Sequence, residues 1–538
     1  MMSSKVIVIG LDGATFDILT PMLERRKLPH LCRMIEEGCH GTLTSTIPPY
    51  TGPAWVSFAT GKHPGKTGVF DFFNLRDGGL SFEPVSSRHY AHVSYWDLIG
   101  QSGIRVGIAN YPMLYPPYPV DGFMISGLGS SASEGITYPE SLKEELTGVT
   151  GSYAISLASN QPKYIGNEPL FLGDINAFLD KRMRAFDYLL HRYPVDCFTA
   201  IFSETDVLQH YLWKHVDPSH PLYSPKDSPR YAQAFEEIWM KIDAWIGGLL
   251  ETFSGGADIL VVSDHGFGPW TDTFYCNQWL EKEGYLVLKK RGNSPSRYFR
   301  RLAEGHVFRS PWAGKLMNLA RKASRGFRPS LMEGIDFSKT IAFASETLGG
   351  IYLNRWDRNP HAPIRTPQEG NAIREELMER LREASPHPVR FYTAQEIYQG
   401  PKTSLAPDVL FSIDDYRCDI CNTRFPDGIF TKEAPSPNIS GTHRREGIFI
   451  AWGNHIRTGV KLNAEIVDIA PTILYLYGLP IPTDLDGSVL VEGLDEAFTR
   501  DHSVSYVSPP PSSPEGEPVG REDISDLRER LRGLGYLE

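Results

Sequence analysis

Cysteine is scarce in this chain. Six occur among 538 residues, at Cys32, Cys39, Cys197, Cys276, Cys418 and Cys421, too scattered for a disulfide framework at this length. The one CxxC, "CDIC" from Cys418 to Cys421, has no companion pair, so a loop with two ordinary thiols is expected there rather than a zinc knuckle. Long apolar runs are missing too, and none approaches the ~20 residues that would cross a bilayer. The opening "MMSSKVIVIGLDG" carries no basic segment, no long apolar stretch and no small-residue cleavage site, which points to a cytoplasmic location. Positive charge is in deficit: 54 Lys and Arg against 65 Asp and Glu leave a net charge of −11. That argues against a general nucleic-acid-binding surface, and no nucleic-acid partner is expected.

What the chain does have is a 41% apolar content and the length to bury a large core. Short β-branched runs, "KVIVIG", "RVGIAN", "CFTAIF", "DILVVS" and "GIFIAW", alternate with helical patterns. The clearest helix has Phe235, Ile238, Ile242, Trp245 and Leu249 at spacings of three and four. This alternation predicts an α/β fold with a mostly parallel sheet covered on both faces. The rhythm breaks at about 286–335, which reads as an inserted cap on a catalytic domain spanning 1–505. Residues 506–538 read as a Pro-rich linker, "SPPPSSPEGEP", followed by a short amphipathic helix. Within the insertion, Lys289 to Arg328 holds twelve Lys and Arg against the single acid Glu304, with Tyr298, Phe299, Phe308 and Trp312 interleaved. It is either a solvated helical insertion or a peripheral docking surface for anionic groups.

Ligands of such sheets sit beyond the carboxyl ends of the strands. "VIVIGLDG" delivers Asp12 there, "CFTAIFSETDVLQH" delivers Asp206 and His210, and "DILVVSDHGFG" delivers Asp264 and His265; His443 in "SGTHRREGIFIAWG" precedes an apolar strand. Each alone has an ordinary reading as turn, exposed helix face or loop residue. Together, three Asp and three His suit two divalent ions, which can stabilise the attacking and leaving oxygens of an in-line displacement at phosphorus. Carboxylate and imidazole favour zinc, with manganese or iron also suited. In "PPYTGPAWVSFATG", Thr51 falls at or near a helix N-cap. Its ordinary role is to accept a backbone N–H, worth about 1 kcal/mol. Beside an anion held by the helix N-terminus and a metal, the same hydroxyl becomes a nucleophile.

The motifs "GLDGATFDIL", "STIPPYTGPAWVSFATGKHPGKTGVFDF", "NYPMLYPPYPVDGFMISG", "SETDVLQHYLW", "VVSDHGFG" and "GTHRREGIFIAWG" resemble, in order, the alkaline phosphatase superfamily. Within it they are most similar to the type I phosphodiesterase/nucleotide pyrophosphatase branch and its cytoplasmic prokaryotic phosphohydrolase/phosphomutase group. The resemblance implies an α/β/α sandwich. It implies one metal on Asp12, Asp264 and His265, approached by Thr51, and another on Asp206, His210 and His443. Thr51 would attack phosphorus to give a phospho-threonine that water releases, and the Gly52 backbone N–H would contact a phosphoryl oxygen.

Nucleotide pyrophosphatases carry an Asn three residues after the nucleophile where this chain has Ala54, and Thr67 replaces a His common before Gly68. No CxPSR-type sequence for a sulfatase occurs. Asn110, Arg444 and Arg445 are candidate substrate contacts whose ordinary readings are a turn residue and surface charges, and His215 and His220 are candidate supports for His210. The expected activity is a two-metal phosphodiesterase. A phosphomonoesterase, mutase or phosphotransferase on the same site is the alternative, and a catalytically silent protein that binds anionic surfaces through 289–328 is the reading from another class.

Overall fold

β-branched and aromatic residues dominate the chain's buried strands, and these assemble into one ten-stranded sheet. In the computed structural model the described residues are 5–76, 79–130, 135–289, 334–345, 350–422, 428–432, 434, 438–510 and 527–532. At the centre lies Lys5–Leu11, parallel to Cys197–Phe202 on one side and Ala257–Val262 on the other. Val106–Tyr111 and Gly122–Ser126 extend the parallel part. Beyond Ala257–Val262 the strand Glu446–Gly453 runs antiparallel, followed by Cys39–Thr44. Strands buried on both faces read as continuous apolar runs, as in "DILVV", where residues 257–262 are all buried.

The five strand-like runs of the sequence are therefore strands, and the fold is the expected mixed α/β arrangement with a mostly parallel sheet. The helix read from Phe235 to Leu249 extends over Ser228–Thr252 and buries Phe235, Ile238, Ile242 and Leu249. After the first strand the chain forms two helices, Phe16–Glu24 and Pro29–Glu37.

Between Val262 and Glu446 none of the described residues joins this sheet, a longer excursion than the 286–335 insertion expected. It builds a second, five-stranded sheet from Asp272–Tyr275, Val389–Tyr392, Leu410–Ile413, Cys418–Cys421 and Phe430–Thr431. That sheet has a separate apolar core including Phe274, Trp279, Phe343 and Phe411. "CDIC" is a strand rather than the expected loop, because Cys418 to Cys421 pair in parallel with Asp272 to Tyr275. All six cysteines are buried free thiols. Of the basic stretch only Lys289 is described, so the docking surface expected at 289–328 lies outside the described residues. Near the C-terminus, residues 527–532 are helical, with Leu527 and Leu531 buried in the main core. Among the described residues, no helix is long and apolar enough to cross a membrane.

Candidate metal centre

Three neighbouring strands of the main sheet end at the same edge. Asp12 follows Lys5–Leu11, Asp264 and His265 follow Ala257–Val262, and the helix Glu204–Val216 begins two residues after Cys197–Phe202. Because Asp206 and His210 are four apart, they share one face of that helix, and the face is turned inward: Asp206 is buried and His210 nearly so. His443 lies on a short strand, Gly441–Arg444, that pairs antiparallel with Gly266–Pro269 and sets His443 opposite Phe267. The six residues converge as two clusters, Asp12 with Asp264 and His265, and Asp206 with His210 and His443. Within each, one ligand atom per residue lies within 4.8 Å of the others.

Backbone links hold the clusters in register. Gly13, at φ +70°, turns its N–H onto Asp264 Oδ1 at 3.1 Å. Thr205 donates to the Asp12 carbonyl at 2.7 Å and Gln209 to the Gly13 carbonyl at 2.9 Å. The Glu204–Val216 helix is thus latched to the turn that carries Asp12. Trp55 donates its indole N–H to Asp12 Oδ2 at 3.4 Å.

All three histidines are oriented the same way. His210 Nδ1 faces the Gly441 carbonyl at 2.8 Å, His443 Nδ1 that of Pro49 at 3.2 Å, and His265 Nδ1 that of Gly266 at 3.0 Å. A carbonyl only accepts, so each Nδ1 carries the proton, and in the neutral ring Nε2 presents a lone pair. His265 Nε2 stands 3.5 Å from Asp12 Oδ1 and 3.4 Å from Asp264 Oδ2. In the second cluster His210 Nε2 and His443 Nε2 are 3.1 Å apart, and Asp206 Oδ1 is 3.4 Å and 3.2 Å from them. Asp12 Oδ1 and Asp264 Oδ2 are buried and accept no hydrogen bond. Converging lone pairs of this kind repel one another unless a cation sits between them, and an N/O donor set with each imidazole fixed through its other nitrogen fits a divalent metal ion.

The charges of the two clusters diverge. Burial, then the neighbouring Asp264 and Asp206, pushes the Asp12 carboxyl well above its ordinary range. Burial likewise carries Asp264 up to about 8. Asp206 is also buried, yet the imidazoles of His210 and His443 outweigh burial and hold it well below the usual carboxylate range. Burial opposes the charge on His210, but Asp206 wins and raises it. Burial, reinforced by the neighbouring imidazole of His265, lowers His443 to about 3.

Thr51 is the first residue of the buried helix Thr51–Thr60, and Tyr50 holds the cap position. Its hydroxyl lies 3.4 Å from His265 Nε2, at the rim of the first cluster. A side chain added at Gly52 would rest in ordinary van der Waals contact with the Asp71 carbonyl at 3.5 Å and Met113 Sδ at 3.6 Å. A cleft lined by Tyr50, Ser412, Tyr416, Asp419 and Thr442 opens beside His443.

The remaining sequence candidates are placed differently. Asn110 is buried in the strand Val106–Tyr111 at φ 56° and bonds the Ile201 carbonyl, so it is not a turn residue. Arg444 is largely buried among the carbonyls of Tyr416, His443 and Pro269 rather than a surface charge, and Arg445 bonds the Ser45 carbonyl. His215 turns away to Ser228 and Glu168. His220 donates to the Ser440 carbonyl at 2.9 Å, one residue before the carbonyl that orients His210. Phe267 and Thr205 had no signal of their own in the sequence. Phe267 stands two residues after His265 within "SDHGFG", where only the Asp and His attract notice.

This architecture, with its paired carboxylate–imidazole clusters at the strand ends, is that of a metal-dependent phosphoric ester hydrolase of the alkaline phosphatase superfamily. The chain belongs to the type I phosphodiesterase/nucleotide pyrophosphatase family, whose model matches residues 6–329. His443 lies beyond that match. Among solved structures the chain is similar to murine ectonucleotide pyrophosphatase/phosphodiesterase 5, at 15% identity and a TM-score of 0.50, over 91% of this chain and 100% of that one. It is also similar to an inactive threonine-to-alanine variant of that murine protein in complex with AMP, at 13% identity, TM-score 0.51 and the same coverage. No curated protein matches the chain in sequence.

Proposed function

We propose that the chain is a two-metal phosphodiesterase in which Thr51 is the nucleophile. The observation that carries this reading is the seating of the Thr51 hydroxyl, at the start of a buried helix, 3.4 Å from a nitrogen of the first cluster. In this reading Asp12, Asp264 and His265 hold one divalent ion and Asp206, His210 and His443 the other. Bound there, such ions, with zinc best suited to the donors, would act as Lewis acids on the reacting oxygens. Thr51 Oγ1 attacks phosphorus, the bond to one ester oxygen breaks and that group leaves as an alcohol with the proton Thr51 gives up, and the resulting phospho-threonine, still esterified by the second group, is hydrolysed by water to a monoester. The backbone N–H of Gly52, at the start of this helix, receives a phosphoryl oxygen. The inactivity of the murine threonine-to-alanine variant, and its AMP complex, agree with a threonine nucleophile and a phosphate-ester ligand. The buried free thiols agree with a cytoplasmic setting.

Wild type and Thr51→Ala are compared on a chromogenic phosphodiester and a chromogenic monoester at matched metal content. We expect diester turnover to fall by ~10³-fold or more in the variant with both ions retained. Undiminished turnover would return Thr51 to a structural role, and a monoester preference in wild type would replace the diesterase by a phosphatase or mutase.

A further inference from the structure

Phe267 belongs to neither cluster, yet it touches the histidines of both. Its ring centroid lies 4.7 Å from His210 and 5.4 Å from His443, both edge to face, and 6.3 Å from His265. It is fully buried, with Trp213 stacked behind it at 5.8 Å. Two glycines make room for it. A Cβ at Gly13 would come within 2.9 Å of the ring, and one at Gly441 within 2.7 Å. Gly13 is the turn residue beside Asp12, and Gly441 supplies the carbonyl that orients His210. On the far side, the His265 and His443 rings stack on each other at 3.8 Å. The two clusters thus share one aromatic wall.

We propose that Phe267 is a positioning residue that couples the two metal half-sites. The inference rests on the two-metal reading above. Drawing His443 and His210 onto one ion fixes the Phe267 ring, and the fixed ring in turn holds His265 and the Gly13 turn where the other ion needs them. Cores of this density move between discrete arrangements instead of yielding smoothly, so ordering one side lowers the cost of ordering the other. An imidazole made electron-poor by a bound cation also meets an aromatic ring more favourably edge to face, which adds to the coupling in the same direction.

The test uses the full-length protein, stripped with a chelator and titrated with Zn²⁺ by calorimetry, with bound metal counted by elemental analysis and Tm followed in parallel. Wild type is expected to take two ions with positive cooperativity. Phe267→Leu should take the first ion as wild type does and the second ~10-fold or more weakly, within the range of ordinary site-to-site coupling. Phe267→Met, which keeps most of the volume, should restore part of the coupling and stands in if the leucine variant does not fold. Phe186→Leu, an aromatic truncation elsewhere in the core, should lower Tm while leaving the titration cooperative. Two ions bound independently by wild type, or both affinities unchanged in Phe267→Leu and Phe267→Met, would overturn the coupling and leave the two-metal reading standing. Fewer than two ions on wild type would overturn that reading, and the coupling with it.

Discussion

The two clusters have the same number of ligands but opposite chemistry. The first sets two carboxylates against one imidazole and is wholly buried, so its acids are pushed toward protonation. The second sets one carboxylate between two imidazoles, and its acid is held ionised. Without a cation the first is strained by its own charge, whereas the second is partly neutralised by His210, which Asp206 raises. The first should therefore depend on metal more heavily, both for its structure and for its chemistry.

The sharpest way to break this comparison is to remove one ligand from each side. Asp264→Asn takes a carboxylate charge from the first cluster while keeping an amide oxygen that can still accept the Gly13 N–H. We expect loss of one bound ion and a fall in kcat/KM of about 10³-fold. His210→Gln should leave the first ion in place, with the smaller loss of about 10²-fold. Metal content and kcat/KM measured on both variants check the order; a larger loss in His210→Gln would reverse the ranking of the two sites.

The second contrast is one of pH. Raised folded-state values make the carboxyls of Asp12 and Asp264 stabilising while protonated, and that contribution disappears as pH rises toward about 8, the value reached by Asp264. His210, also raised, acts in the same direction. His443 and His265 are lowered, so their effect on stability is spent below their ordinary value of 6.5. Between pH 6.5 and 8 the metal-stripped protein should therefore lose Tm, while the metal-loaded protein, its carboxylates neutralised, should not. A gap between the two melting curves that stays constant across this window would show that the first cluster carries no such charge strain.

Legibility in the sequence follows the same division. Asp12, Asp264 and His265 sit directly after apolar strands, and a parallel sheet brings such strand ends together, so local pattern was enough to find them. His443 is 233 residues from His210 and reaches it by a two-stranded ribbon outside the main sheet. Only the family resemblance joined these two, because no periodicity encodes a pairing at that distance. The second sheet was missed for a related reason. Its three central strands are four residues long each, so period-two alternation hardly develops before each one ends. Arg444 and Asn110 misled in the opposite way. An arginine reads as surface charge until the carbonyls around it are known, and Asn110 adopts its left-handed conformation inside a strand, where the register to its neighbour shifts.

The same long-range ribbon exposes the second cluster to a weakness that the first does not have. The first is held by turns directly continuous with central strands, whereas His210 is oriented by the Gly441 carbonyl. The adjoining Ser440 is tied to the helix by its N–H and hydroxyl on the His210 carbonyl and is braced from outside by His220. His220 touches neither cluster by these contacts; it acts through the chain that carries Gly441 and His443. His220→Ala should therefore weaken the second ion by about 10-fold, the low end of what outer-shell partners contribute, and leave unchanged the affinity of the first cluster while the second is empty. His220→Gln, which can still donate to the Ser440 carbonyl, should recover most of that affinity. Zn²⁺ titration of the two variants against wild type checks both statements. Equal weakening of both ions would mean that the clusters share their bracing and that the division between a sheet-built site and a ribbon-built site is wrong.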